Sequence, residues 1–375
     1  MNISVLALFT ISICAFAAEE KLVVPIPPDS EVHVQKDVAY DGGLHFDLYT
    51  PARHSSPVPV VLFMNGVGGG NIRAWAQYTG WGKLVTGSGL AGVVYDSREG
   101  GAAKDTQAVL RYLGEHASGL GIDARNVVLW ACSSNVSEGL PLAMDASNSA
   151  IKAAVIYYGT APVKAVRLDL PVLMVRAGLD GLGLNRGIGE FVAAATAANA
   201  PLTFINMPAA HHAFDLRDDN ETSRVVIART LDFMKAQTQE SAQKEFSTGL
   251  QEATAAGALF RGDSATAVRE YAALAAARPR DTEVHRNFGN ALLGIGQYQR
   301  ALTEFQLALD TGNPNRGWIS YSAATASMKL GDTEAALKWV ENLKNIPPMW
   351  RQLKSDPNFV PLKDDPRFKA VAEQN

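Results

Sequence analysis

Six short, almost wholly apolar runs in the first 237 residues constrain the fold of this chain more than any other feature of the sequence. Runs that are apolar on both faces are typical of strands buried in a parallel sheet. Helical stretches separate the runs, and this alternation predicts a parallel sheet covered by helices on both faces. The runs occupy residues 58–66, 90–97, 126–133, 151–159, 170–178 and 202–208, and the helical stretches include 104–117, 135–147, 185–198 and 221–237. The polar–apolar alternation of residues 32–51 predicts an antiparallel pair of strands that leads into this sheet.

A different pattern begins after about residue 240, where the apolar runs disappear and alanine becomes frequent. Glycine recurs at Gly262, Gly296 and Gly331, with spacings of 34 and 35 residues. At similar distances after each glycine come an alanine, a bulky residue, a third apolar residue and a proline: Ala267, Ala301 and Ala336; Tyr271, Phe305 and Val340; Leu274, Ala308 and Leu343; Pro279, Pro314 and Pro348. This period predicts stacked helix–turn–helix units, with glycine in each turn and proline ending the second helix. The stretch NALLGIGQYQRALTEFQLAL resembles a tetratricopeptide repeat, and an ordinary helical extension is the alternative.

Length and composition exclude several classes of protein. The 375 residues suffice for two domains, and a hydrophobic content of 47% is ample for large cores. The net charge of −4 is spread without long runs of one sign, so the basic footprint of a nucleic-acid binder is missing. The glycine-rich stretch GVGGGN lacks the lysine and the spacing of a phosphate loop. We therefore expect neither nucleic-acid binding nor a cofactor.

The N-terminal apolar run ends in the small-x-small pattern Ala15–Phe16–Ala17, which is typical of a signal-peptidase site. The run is short for a membrane span. Residues 1–17 are therefore predicted to be a cleaved signal peptide, and an uncleaved anchor is the alternative. The mature protein is predicted to be secreted or periplasmic, without a stable membrane span. Removal of the leader would leave Cys132 as the single cysteine, so no internal disulfide could form.

Three residues of catalytic type follow three different predicted strands. Ser133 ends the segment NVVLWACS, Asp180 follows LPVLMVRAG, and His212 lies in PAAHHAF after the last run. Because the carboxyl ends of parallel strands meet at one edge of a sheet, we expect these side chains to lie close together. A serine hydroxyl becomes a nucleophile when a histidine takes its proton, and a carboxylate orients the histidine.

The same segments resemble the α/β-hydrolase superfamily, in particular its dienelactone-hydrolase-like and small-esterase branches. GIDARNVVLWACSSN is similar to the segment that leads to the nucleophile, with an aspartate ten residues before it. LPVLMVRAGLD resembles the acid-bearing strand, and PAAHHAF resembles the histidine loop. The resemblance covers residues 30–237 and implies that Ser133 is the nucleophile. It also implies Asp180 as the orienting acid and His212 as the base, with His211 as a neighbour only.

The turn at Ser133 departs from the superfamily pattern G-x-S-x-G. Ala131 and Asn135 replace the two glycines, which are small because the turn is tight and the following helix packs closely behind it. Alanine is small enough, and asparagine tolerates unusual backbone angles better than most residues. The sequence therefore predicts a strained turn that can still be built.

Ser137 is the rival nucleophile, since a glycine also follows it at the required spacing. Pro141 supports this rival, because it fits the first turn of a helix that begins near Ser137. The rival register requires a strand that runs through three polar residues, which favours Ser133. A third interpretation, in which the serines only cap a helix, leaves the aspartate and the histidine unexplained.

Backbone N–H groups must stabilise the oxyanion of an acyl-transfer reaction. The candidates are Ser134, next to the nucleophile, and Val67 in the loop NGVGGG. Asn65 stands where the corresponding loop of lipases carries a histidine, and a plain flexible turn is the alternative interpretation of the glycines.

Two reactive residue types are predicted to have structural roles. Cys132 lies one position before Ser133 and is expected to point into the sheet, as a core residue. His211 and His212 have no further ligand at metal-site spacing in the adjacent sequence, so no metal site is predicted.

The sequence thus predicts a serine hydrolase that cleaves small-molecule carboxylic esters through an acyl-enzyme. One alternative is a catalytically inactive scaffold of the same fold, whose repeats bind a protein or peptide partner in a concave groove. Another is a peptidase that acts on short peptides. The predicted organisation is an α/β-hydrolase domain over 21–237, tetratricopeptide-like repeats over 240–345 and a closing segment over 346–375.

Overall fold

The structure is a computed structural model that describes residues 21–55 and 57–373. The predicted signal peptide, residues 1–17, lies outside the described residues. The chain divides into two compact units, the first reaching to residue 196 and including 200–247, the second comprising 197–199 and the residues from 248 onward.

The first unit is built on an eight-stranded sheet with the order β1-β2-β4-β3-β5-β6-β7-β8. The strands are β1 (Val32–Asp41), β2 (Leu44–Pro51), β3 (Val58–Phe63), β4 (Ala91–Tyr95), β5 (Ile122–Cys132), β6 (Ile151–Tyr157), β7 (Val172–Ala177) and β8 (Leu202–Met207). The strands from β3 to β8 pair in parallel, whereas β1 with β2 and β2 with β4 pair in an antiparallel manner. The predicted parallel sheet and its antiparallel lead-in are therefore confirmed.

Helices of the first unit connect these strands. They are α1 (Ala76–Thr86), α2 (Ala102–Leu120), α3 (Val136–Met144), α4 (Leu182–Ala197), α5 (Phe214–Arg217) and α6 (Glu221–Gln237). Helix α1 is not among the predicted helices. Within residues 21–55 and 57–373, no helix is both long and apolar enough to cross a bilayer.

Apolar layers cover both faces of the sheet, and alternate residues of β5 enter different layers. Leu129 and Ala131 belong to one buried cluster, while Trp130 and Cys132 belong to the other. A strand buried on both faces needs apolar residues at every position, which explains the run that precedes the serines. The first polar side chains after β5 therefore emerge at its carboxyl end.

The second unit is all helical. Its helices are α7 (Glu240–Phe260), which begins in the first unit, α8 (Ser264–Ala277), α9 (Thr282–Gly294), α10 (Tyr298–Asp310), α11 (Arg316–Lys329), α12 (Thr333–Glu341), α13 (Pro347–Ser355) and α14 (Pro366–Ala372). The three repeat glycines lie in the turns after α7, α9 and α11, with φ between +74° and +76°, a region that glycine enters without strain.

Small residues lie where the repeat helices cross. Ala267, Ala301 and Ala336 are fully buried. At Gly289 a Cβ would lie 2.5 Å from the ring of Phe305, so α9 and α10 pack almost backbone to ring. Pro348 differs from its prediction, because it lies in the first turn of α13 rather than at the end of α12. Helix–turn–helix pairs are thus present, and their tetratricopeptide identity stays a prediction.

Candidate active site

Ser133 lies at the sharp turn between β5 and α3, here called the elbow (residues 132–135). Its φ is +52°, in the left-handed region that few non-glycine residues occupy. A single 3₁₀ turn, Ser133–Asn135, follows, and α3 starts at Val136. The turn lifts the serine hydroxyl out of the sheet at the carboxyl end of its central strands.

The elbow is built without either expected glycine. A Cβ added at Gly139 would lie 2.8 Å from the Cβ of Ala131, so glycine in α3 makes room for the methyl group that replaces the first elbow glycine. Asn135 has φ −65° and ψ −18°, an ordinary helical conformation that any residue adopts. Gly139 on the helix thus provides the space that a glycine at 131 would otherwise provide. The helical backbone at 135 does not require glycine.

The structure brings Ser133, His212 and Asp180 together in one hydrogen-bonded chain. Ser133 Oγ lies 2.8 Å from His212 Nε2, and His212 Nδ1 lies 2.5 Å from Asp180 Oδ2. An ionised carboxylate only accepts hydrogen bonds, so Nδ1 carries the proton and Nε2 accepts from the serine hydroxyl. This tautomer leaves the imidazole ready to take the serine proton.

The rival residues lie outside this chain of hydrogen bonds. The Ser137 hydroxyl, in the first turn of α3, donates to the carbonyl of Ser134 at 2.8 Å. His211 is exposed, and its Nδ1 lies 2.9 Å from Asp218 Oδ1. Pro141 lies inside α3, in a helix that starts before Ser137.

The candidate oxyanion donors differ from each other in their hydrogen bonding. The Val67 N–H donates to Asn135 Oδ1 at 3.0 Å, whereas none of the described residues accepts from the Ser134 N–H. Asn65 is buried, and its Nδ2 donates to the carbonyl of Tyr95 at 3.2 Å. Asn65 therefore ties the glycine-rich loop to the end of β4.

A cleft of about 550 Å³ opens beside the elbow. Its lining combines the glycine-rich loop, the start of α2 and the start of α3: Gly66, Val67, Gly100, Gly101, Ala102, Ala103, Lys104, Ser134, Ser137 and Glu138. Both candidate oxyanion residues border this space, so a small molecule in the cleft would lie next to the elbow.

Comparison with solved structures identifies the fold. The chain is similar to an α/β-hydrolase enzyme from the metagenome of Lake Arreo, Spain, with a TM-score of 0.50 and 14% identity over 62% of this chain and 90% of that one. The first unit has an α/β-hydrolase fold. A bacterial heroin esterase matches with a TM-score of 0.49 and 16% identity, over 62% of this chain and 91% of that chain. A thermostable esterase from Pseudomonas putida matches with a TM-score of 0.48 and 16% identity, over 61% and 89%. No protein-family model and no curated protein matches the chain.

In this α/β-hydrolase fold, Asn185 supports the loop that carries Asp180. Its Nδ2, in the first turn of α4, lies 3.1 Å from the carbonyl of Ala177 and 3.2 Å from that of Asp180. The N–H of Gly181 donates to Asp180 Oδ1 at 2.7 Å, which leaves Oδ2 for the histidine. Sequence reasoning missed Asn185, because an asparagine early in a helix has no distinguishing pattern.

A buried carboxylate stands behind the histidine. Tyr158 places its ring 4.8 Å from that of His212, centroid to centroid, and its hydroxyl donates to Asp215 Oδ1 at 2.7 Å. Gln77 and Trp81 both donate to Asp215 Oδ2 at 3.0 Å. Burial raises the pKa of Asp215, and the three donors partly offset that effect. Asp215 lies between two hydrophobic residues, Phe214 and Leu216, and this local pattern could have indicated a buried carboxylate. It was not predicted from the sequence.

Cys132 is a core residue, as predicted. Its side chain is buried, with Sγ 3.7 Å from the hydroxyl of Tyr78. Burial, reinforced by the charge of Asp215, raises the pKa of this thiol to about 12, so it stays protonated at neutral pH. Among the described residues, no group of three histidine, cysteine, aspartate or glutamate side chains is arranged to hold a metal ion.

Proposed function

We propose that the first unit is a serine hydrolase that cleaves carboxylic esters through an acyl-enzyme. The observation that carries the proposal is the chain of hydrogen bonds from Ser133 Oγ to His212 Nε2 and from His212 Nδ1 to Asp180 Oδ2. Serine, histidine and aspartate in this order of contact form the catalytic triad of unrelated hydrolases. A serine that only capped a helix would need neither the histidine nor the aspartate.

In the proposed reaction Ser133 Oγ attacks the ester carbonyl carbon while its proton passes to His212 Nε2. The carboxylate of Asp180 stabilises the imidazolium that forms. The C–O bond to the alcohol then breaks, and His212 gives its proton to the departing oxygen. Water deprotonated by His212 attacks the acyl-enzyme, and the carboxylic acid leaves as Ser133 recovers its proton. Val67 and Ser134 N–H groups are the proposed oxyanion donors, each of which typically contributes about 10²–10³ in rate.

The proposed substrate is a small-molecule ester bound in the cleft beside the elbow, with a dienelactone-hydrolase-like or small-esterase specificity. Two of the similar structures are described as esterases, which is consistent with this substrate class. The same triad also serves peptidases, so a p-nitrophenyl ester and the matching p-nitroanilide should be compared. Turnover of the ester alone supports an esterase, and comparable turnover of the anilide supports a peptidase.

The decisive experiment combines a fluorophosphonate probe with location of the adduct by mass spectrometry. We expect the adduct on Ser133, and loss of both labelling and ester turnover in Ser133→Ala. Ser137→Ala is the matched control, because its hydroxyl lies in the first turn of the following helix and donates to the backbone carbonyl of Ser134. This control should keep labelling and most of the ester turnover, although its side chain borders the substrate cleft. An adduct on Ser137 would contradict the assignment of the nucleophile.

One observation favours the inactive-scaffold alternative, namely that Asn135 already occupies the Val67 N–H. In that case folded wild-type protein would show neither labelling nor turnover, and the helical unit would be the place to search for a protein or peptide partner. The secreted or periplasmic location and the tetratricopeptide identity of the helices are part of the same proposal. Sequencing the N-terminus of the exported protein tests the first of these.

A further inference from the structure

The side chain of Asn135 binds the loop that carries a proposed oxyanion donor. Asn135 Oδ1 accepts from the Gly66 N–H at 2.8 Å and from the Val67 N–H at 3.0 Å, which uses both of its lone pairs. An N–H group has a single proton to donate. A substrate oxygen that approaches the Val67 N–H therefore meets a donor that is already engaged.

Other contacts fix the orientation of the Asn135 carboxamide. Its Nδ2 donates to the hydroxyl of Tyr78 at 2.7 Å. Tyr78 is buried, with its ring edge-on to Trp75 and Trp130. The reverse amide orientation would place an NH₂ group against two backbone N–H donors, so the carboxamide has one favourable arrangement.

The glycine-rich loop and the elbow pack closely against each other at Asn135. A Cβ at Gly66 would lie 2.4 Å from the carbonyl oxygen of Asn135 and 2.9 Å from its Cα, so loop and elbow are in direct backbone contact. A shift of the Asn135 side chain away from the Val67 N–H frees that donor while both backbones stay in place. The helical backbone at Asn135 would accept alanine equally well, so its geometry gives no reason for the carboxamide.

We infer that Asn135 is a resident acceptor, which the oxyanion must displace from the Val67 N–H during acylation. This inference rests on the proposed function. Hydrogen bonds to a charged oxygen are roughly twice as strong as neutral ones, so the exchange becomes favourable once negative charge develops. Breaking the resident bond adds to the barrier, because the charge exists only in the transition state. Asn135 thus lowers kcat for every ester and leaves KM nearly unchanged.

The test is Asn135→Ala assayed on p-nitrophenyl acetate. We expect kcat to rise by roughly 3–10-fold with little change in KM, as for removal of one neutral competing hydrogen bond. Asn206→Ala, an exposed asparagine on β8 outside the site, is the matched control and should behave as wild type. An unchanged or lower kcat, with the melting temperature preserved, overturns the inference, since Asn135 would then be inert or would hold the donors in place.

A second measurement needs no variant and covers the case in which Asn135→Ala fails to fold. A trifluoromethyl ketone forms a hemiketal when Ser133 Oγ adds to its carbonyl carbon, and the serine proton passes to His212. In ¹⁵N-labelled wild type we expect the resonances of the Val67 amide and the Asn135 side-chain amide both to move when the adduct forms. An adduct that leaves the Val67 amide resonance in place overturns the inference alone. Failure of wild type to form any adduct overturns the proposed function, and the inference falls with it.

Discussion

Ser133 holds a left-handed backbone conformation that costs about 1–3 kcal/mol for a non-glycine residue. The surrounding packing sustains this strain. At Gly159, just after β6, a Cβ would lie 2.6 Å from the carbonyl oxygen of Ser133, so that carbonyl packs directly against the backbone at Gly159. The hydroxyl bond to His212 adds a second restraint on the other side of the residue.

The buried thiol of Cys132 predicts a loss of stability at alkaline pH. Its pKa is about 12 in the folded protein, against an ordinary value of 9.0. Below pH 9 the thiol is protonated in both states and contributes nothing. Above pH 9 the unfolded chain releases the proton and the folded chain retains it, so the free energy of unfolding falls, by about 1 kcal/mol at pH 10.

Urea unfolding of wild type and Cys132→Ala at pH 8 and pH 10 checks this prediction. Buried tyrosines with raised pKa values, such as Tyr78 and Tyr157, are present in both proteins, and burial, the main cause of their raised pKa values, is the same in both, so most of their contribution cancels. Wild type should lose more stability than the variant between the two pH values. Equal losses would show that the thiol ionises as readily in the folded protein as in the unfolded chain.

The contact between β5 and α3 predicts a coupled pair of substitutions. Gly139→Ala should lower the free energy of unfolding by about 1–3 kcal/mol, because the new methyl group would lie 2.8 Å from that of Ala131. The double variant with Ala131→Gly should recover most of the loss, since it restores the space on the strand side. A double-mutant cycle from urea unfolding measures the coupling.

Gly114→Ala is the matched control for this cycle. Gly114 lies inside α2, and nothing lies within 4 Å of the position of an added Cβ. Alanine there should stabilise the protein by about 0.5–1 kcal/mol through helix propensity alone. If Gly139→Ala behaved like Gly114→Ala, the close packing of strand and helix at the elbow would be wrong.

The elements that sequence predicted well are those whose signal is local. Buried strands need apolar residues at every position, and their carboxyl ends meet at one edge of the sheet, which is why the sequence predicts that Ser133, Asp180 and His212 lie close together. Helix α1 was not predicted, because it is buried on nearly all sides and so lacks the apolar stripe that identifies a surface helix. At Gly82, inside this helix, a Cβ would meet the ring of Tyr49 at 2.7 Å, a contact with no local pattern.

The supporting residues of the site were unpredictable for a different reason. Asn135 and Asp215 act through hydrogen bonds to residues far away along the chain, whereas Asn185 binds backbone carbonyls only five to eight residues before it. Asn135 binds residues 68 and 69 positions away, and Asp215 accepts from a glutamine 138 positions away. The local sequence around each residue does not specify partners this far away, because only the fold of the sheet brings them together.

Each of the two units contains its own hydrophobic cores. The clusters on the two faces of the sheet involve residues 22–234, and the helical clusters involve residues 255–372. Because the helical cores share no residue with those of the sheet, a packing defect in the helices should lower the stability of the helical unit specifically.

Gly289→Ala tests this prediction, since a methyl group there would meet the Phe305 ring at 2.5 Å. We expect the free energy of unfolding of the helical unit to fall by about 1–3 kcal/mol. Far-ultraviolet circular dichroism measures this unfolding. The rate at which a thiol reagent labels buried Cys132 should stay at its wild-type value. Gly249→Ala, in a helix position with open space, is the control and should not destabilise. Faster labelling of Cys132 in Gly289→Ala would show that the two units unfold together.

The contact between positions 131 and 139 also restricts the order in which mutations can accumulate during evolution. Of the four combinations of glycine and alanine at these positions, only alanine at both brings two methyl groups within 2.8 Å. By single substitutions, the exchange of glycine on the strand for glycine on the helix avoids this contact only through the form with glycine at both positions. The packing requires space between strand and helix, so a search pattern that demands glycine two residues before the serine overlooks chains in which a glycine on the helix supplies that space.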